Sequence, residues 1–182
     1  MTAGGAPLTR PELDAGLRAL VEVPKDAGVL RFIARRSSPG VHEPLDAVML
    51  SVEEGVPGDG WSRRSPRDPD SQLAVMRHDI ARLIANGREL TEFGDNLIVD
   101  LDLSAANLPP GARLRVGEAT VEVTPKARTG CGKFSRLFGP DAARFVNDPT
   151  RRGERLRGVY WKVVVPGLAK AGARIEVLER GC

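Results

Sequence analysis

The chain has 182 residues, a formal net charge of +3, 41% hydrophobic, 28% charged and 4% aromatic residues. That length suits one domain burying roughly 70% of its unfolded surface. The composition excludes a disordered chain, and no apolar run nears the ~20 residues of a membrane span. Interspersed charge and scarce aromatics argue for an anionic small molecule as partner, with no nucleic acid and no membrane. Two histidines and two cysteines cannot supply a protein-only zinc site of the usual spacing.

No basic segment followed by an apolar core opens the chain, so the expected compartment is the cytoplasm, where thiols stay reduced. "LTRPELDAGLRALVEV" predicts an amphipathic helix over residues 10–20: Thr9 stands as N-cap, Pro11 in the first turn and Glu12 three residues after the cap. Leu13, Leu17, Leu20 and Val21 share one face. "GVLRFIARRS" reads as a strand, and "DAVMLSVEEGVPGDGW" as a second strand ending in a Pro/Gly loop. "WSRRSPRDPDSQ" is polar and charged and reads as an exposed loop. "QLAVM" predicts a short strand, and "RHDIARLIANG" a helix with Ile80, Leu83 and Ile84 inward and Gly87 as its stop. "GDNLIVDLDL" is a further strand.

Ala112, Leu114 and Val116 alternate up to Gly117-Glu118, and Ala119, Val121 and Val123 alternate after it, which predicts a β-hairpin. "FSRLFGPDAARFVND" predicts one or two short helices. "RGVYWKVVVPG" and "ARIEVLER" predict a second strand pair joined by "PGLAKAG". Many short strands and few helices imply a mainly β domain, a barrel or a sandwich.

Cys131 lies between Gly130 and Gly132, with Lys126, Arg128, Lys133 and Arg136 within five positions and a predicted helix following. Cations and a helix start both favour thiolate, and the glycines open an approach to the sulfur. Such a thiolate serves as nucleophile or soft-metal ligand; the competing reading is a small buried hydrophobe. Cys182 reads as a tail thiol. "GCGKFS" is no P-loop, because position 127 is not glycine and Phe134 replaces the required Ser or Thr. Asp59, in a glycine-rich turn ahead of Arg63, Arg64 and Arg67, fits an oxyanion site or a solvated basic loop. Asp95 and Asn96 stand at a strand entrance, where Asn bonds a ligand or caps a turn. His42 and His78 read as surface or capping residues.

Four stretches in order, "GVPGDGW", "FGDNLIV", "LPPGARLRVGEATVEVTPKARTGCGKF" and "LRGVYWKVVVPGLAKAGARIEV", resemble the MOSC domain family, related to the C-terminal domain of molybdenum cofactor sulfurases. The resemblance implies a closed or partly open β-barrel over residues 25–182, with short peripheral helices and an N-terminal helical extension over residues 1–24. It places Cys131 at the family's cysteine, which carries sulfur or ligates the molybdenum of a molybdopterin cofactor. Asp95, Asn96 and Lys133 would accompany it in the working pocket, while Asp59, Arg63, Arg64, Lys126, Arg128 and Asn96 would face the cofactor and its phosphate. The implied activity is reduction of N-hydroxylated compounds, with electrons from a separate electron-donor protein. The early turn reads Gly-Asp-Gly-Trp where many members read Gly-Asp-Arg-His. That difference keeps open a molybdenum-free enzyme of sulfur transfer or carbon–sulfur cleavage. A non-catalytic module binding an anion or a protein partner is the third alternative.

Overall fold

Thr9, extended in backbone, starts helix α1 (Arg10–Ala19) in the computed structural model, which describes residues 4–181. Its N–H and hydroxyl donate to the Glu12 carboxylate at 2.7 and 2.8 Å, so an otherwise orphaned donor at the helix start is satisfied. Cys182 lies outside the described residues.

The strands follow as β1 (Ala27–Ser38), β2 (Val41–Leu45), β3 (Ala47–Leu50) and β4 (Leu73–Arg77). After helix α2 (His78–Ala85) come β5 (Leu97–Asp100), β6 (Arg113–Val116) and β7 (Ala119–Val123). Helices α3 (Gly132–Phe138) and α4 (Pro140–Val146) then precede β8 (Val159–Val165), β9 (Gly167–Lys170) and β10 (Arg174–Glu179). Seven strands in the order β10-β6-β7-β8-β4-β5-β1 close into a barrel where β1 meets β10 at Gly28↔Ile175. The β4–β5 pair is parallel and the other barrel pairs are antiparallel. The protein is thus mainly β, a closed barrel with short peripheral helices.

Two strands escape the sequence patterns. β2 folds back along β1, with Pro44 opposite Ala34; a residue without an N–H is tolerated at such an edge. β9 lies inside "PGLAKAG", expected as a connector, and pairs with β3 at Val48↔Ala169 to form a separate ribbon. The expected pairing of the last two long strands is corrected. β8 is flanked by β7 and β4, and β10 by β6 and β1, so neither has an edge left for the other.

Alternation explains where the core sits. Leu73 and Val75 of β4 and Leu97 and Val99 of β5 enter the barrel, whereas Met76 and Ile98 face outward under the helices. Both faces of these strands are buried, as a parallel pair requires. The outer cluster joins Leu13 of α1, Ile80 and Ile84 of α2, Phe134 and Phe138 of α3 and Phe145 of α4. Phe93 stacks on Phe138 with ring centroids 4.2 Å apart. Each such side chain stabilises by about 1.5–3 kcal/mol before chain entropy is set against it. Among the described residues no helix is long and apolar enough to cross a membrane.

Candidate functional site

Phe134 and Phe138, four residues apart, bury one side of α3 in the outer cluster and so fix where the helix begins. Cys131 is the N-cap residue at that start, extended in backbone and exposed to solvent. The N–H of Phe134 holds its thiol below the ordinary value; partial burial opposes this, and the N–H of Lys133 and the charge of Arg157 reinforce it. Stabilisation therefore comes from the helix start, as the sequence implied, but the cation involved is not among the four neighbours in sequence. Lys126 turns to Asp68 and Arg128 to Asp95. Lys133 presents its N–H to the sulfur while its side chain stays exposed on the first turn. Arg136 curls back to within 3.6 Å of where a Cβ on Gly132 would stand.

Asp95 is the electrostatic hub beside this helix. Its fully buried carboxylate binds Arg128 through one oxygen and Nη1 of Arg157, at 2.8 Å, through the other. Burial pushes the Asp95 carboxyl up, but the two guanidiniums outweigh it and hold it below the usual carboxylate range. Burial lowers Arg157 as well, yet a guanidinium stays protonated at any accessible pH. Arg157 also lies over the Phe134 ring at 5.0 Å and donates to the Phe93 carbonyl, so it braces the turn that serves Cys131. Its Nε is buried without a partner among the described residues. Gly158 makes this crossing possible: at φ +95° a Cβ would stand 2.0 Å from the Val75 carbonyl oxygen.

A cavity of about 560 Å³ opens next to the cysteine loop, between residues 124–129 and the stretch from the end of α4 to the start of β8. Its wall carries Lys126, Arg128, Arg152, Arg155 and Arg157 against one carboxylate, Asp148. Cys131 stands outside the wall, joined to it by Asn147. The Asn147 side chain accepts from the Gly130 N–H at 2.8 Å and donates to the Gly130 carbonyl at 2.9 Å. Arg155 donates to the carbonyls of Leu103 and Leu108 and is half-buried, whereas Arg152 is exposed at the rim.

The other expected site residues are placed differently. Asp59 is buried and accepts from the Arg36 N–H at 2.7 Å, from its guanidinium at 3.0 and 2.5 Å, and from the Trp61 N–H at 3.0 Å. Burial raises Asp59, and Arg36 more than reverses it. Asn96 is also buried: its amide accepts from the Ala74 N–H at 3.0 Å and donates to the Ala34 carbonyl at 3.3 Å, stitching β4 and β1 together. Neither side chain meets the cavity wall. Arg63 caps the carbonyls of Gly58 and Arg36, and Arg64 points to solvent without a side-chain partner among the described residues. Trp61 is buried and donates to the Asp68 carbonyl at 2.8 Å, so the altered turn is a packed staple. Of the expected residues, the structure gathers Cys131, Lys133, Asp95, Arg128 and Lys126 around the cysteine loop. Arg157, Arg155, Asn147 and Arg152 went unread in the sequence, where no motif distinguishes them from surface polar residues.

A sequence model of the MOSC domain matches residues 68–176. No curated protein sequence matches the chain significantly. Among solved structures, the YUAD protein from Bacillus subtilis is 17% identical, with 83% of this chain and 95% of that chain covered at a TM-score of 0.59. YiiM from Escherichia coli is 24% identical over 83% of this chain and 71% of that one, at a TM-score of 0.55. YiiM from Geobacillus stearothermophilus is 18% identical over 86% and 75%, at a TM-score of 0.56. These likenesses show a shared fold.

Proposed function

Because the chain belongs to the MOSC domain family, we propose that its exposed Cys131 thiolate is the protein's ligand to the molybdenum of a pterin cofactor and that the protein reduces N-hydroxylated compounds. The observation that carries this reading is an exposed thiol at a helix start, held below its ordinary value by the N–H groups of that start, beside a basic cavity. The residues fit that group in donor type: Cys131 offers one exposed sulfur next to the basic cavity wall. One soft thiolate suits a metal that brings its own ligands on an anionic carrier. Lys126 and Arg152, both exposed at the rim, would supply charge for that carrier's phosphate. When bound, the cofactor would supply the two-electron redox centre.

The chain's own part is binding and orientation. Asp95 holds Arg128 and Arg157, Arg157 braces Phe134, and the N–H groups of Phe134 and Lys133 hold the Cys131 thiol below its ordinary value. The net change converts R–NH–OH, two protons and two electrons into R–NH2 and water, the electrons coming from a separate donor protein. Elemental analysis of protein from cells with intact molybdenum cofactor synthesis tests the reading. Near-stoichiometric molybdenum is expected in wild type and its loss in Cys131→Ala; metal retained by the variant would overturn it.

A second reading is favoured by one observation, the position of the Cys131 sulfur outside the cavity wall and open to solvent. In it, Cys131 attacks the outer sulfur of a donor persulfide, takes that sulfur as its own persulfide and releases the donor thiolate, without molybdenum. Peptide mass spectrometry after incubation with a persulfide donor separates the two: an unmodified Cys131 thiol counts against sulfur transfer.

A further inference from the structure

Helix α1 lies outside the stretch that matches the family, yet it is tied to the cysteine loop through a short chain of contacts. Nη2 of Arg10 meets Oδ2 of Asp148 at 2.5 Å, and the Arg10 N–H donates to Asp141 at 3.0 Å. Asp14, one turn on, holds Arg151 at 3.0 Å. Asp148 also accepts from the Thr150 N–H at 2.9 Å and from its hydroxyl at 2.7 Å, which sets the start of the 3₁₀ turn Pro149–Glu154. That turn carries Arg152 and Gly153 into the cavity wall. The neighbouring Asn147 clasps Gly130, directly ahead of Cys131.

Arg10 is well placed to transmit a constraint. Leu13 on the same helix is fully buried in the outer cluster, and the Arg10 guanidinium lies over the Phe145 ring at 5.8 Å. The side chains of Arg10 and Asp148 are only 31% and 15% exposed, so this pair is screened less than an ordinary surface pair.

We propose that α1 is a positioning element for the candidate site, in which Arg10, through Asp148 and Asn147, fixes both the cysteine loop and the cavity wall. Arg10 touches neither the sulfur nor the cavity; it restrains the segment that lines the cavity and clasps Gly130. The importance of this link rests on the reading of Cys131 as the working group, but its mechanical content does not. Freed from Arg10, residues 147–153 would open more often and carry Gly130 with them.

Hydrogen exchange on the full chain tests this, read in peptides covering residues 129–135 and 146–153. Arg10→Ala should speed exchange in both by roughly three- to tenfold. Arg10→Lys should restore most of the protection, and Arg31→Ala, which removes the Arg31–Asp100 pair between β1 and β5, should leave both peptides unchanged. If Arg10→Ala loosens the whole molecule, Arg10→Gln must still show the local effect. Unchanged exchange at residues 129–135 in Arg10→Ala and Arg10→Gln would overturn the proposal. A wild type without molybdenum whose cysteine loop still loosens in Arg10→Ala would sink the functional reading and support the positioning link.

Discussion

Asp95 carries one negative charge in a place where water cannot reach it, between two guanidiniums that lie far from it in sequence. Removing it would leave Arg128 and Arg157 facing each other without a counter-ion. Asp95→Asn should therefore lose about 3–5 kcal/mol of stability in urea unfolding, well beyond an exposed carboxylate. Because the folded carboxyl is held below its ordinary value, this contribution is complete above that value and fades as pH falls through the folded one. Cys131 follows the same sign, being held low chiefly by the Phe134 N–H. Its alkylation rate, followed peptide by peptide against pH, should reach half-maximum below the ordinary thiol value of ~8.5. A midpoint at or above that value would favour the non-catalytic module.

At the scale of elements, the crossing of the approach to β8 over β4 is the tightest joint of the site. Gly158→Ala would force a side chain at φ +95° into the Val75 carbonyl and push Arg157 away from Asp95. A loss of at least about 2 kcal/mol is expected in thermal unfolding. Unchanged stability there would mean that the joint is looser than its geometry. Elements with a strong local signature were legible beforehand. The capping residues of α1, the inward Ile80 and Ile84 of α2 and the alternation on either side of Gly117 each carry their own pattern. β2 and β9 carry none: "VHEPL" and "GLAK" become strands only because β1 and β3 offer them an open edge.

Across the whole molecule, the sequence by itself determined a mainly β domain with a thiol at the start of a helix. Hydrophobic period, turn residues and helix caps act between near neighbours, so they can be read along the chain. Only the tertiary structure decided which charges meet. Asp95 and Arg157 are 62 positions apart, Arg10 and Asp148 are 138 apart, and Asp59 was taken up by Arg36 instead of facing a ligand. The reason is physical: a long charged side chain can reach several partners, and burial and chain crossing select among them. Ring closure of β1 onto β10 and the burial of Phe134 and Phe138 with Met76 and Ile98 set the start of α3 where the charge of Arg157 acts on Cys131.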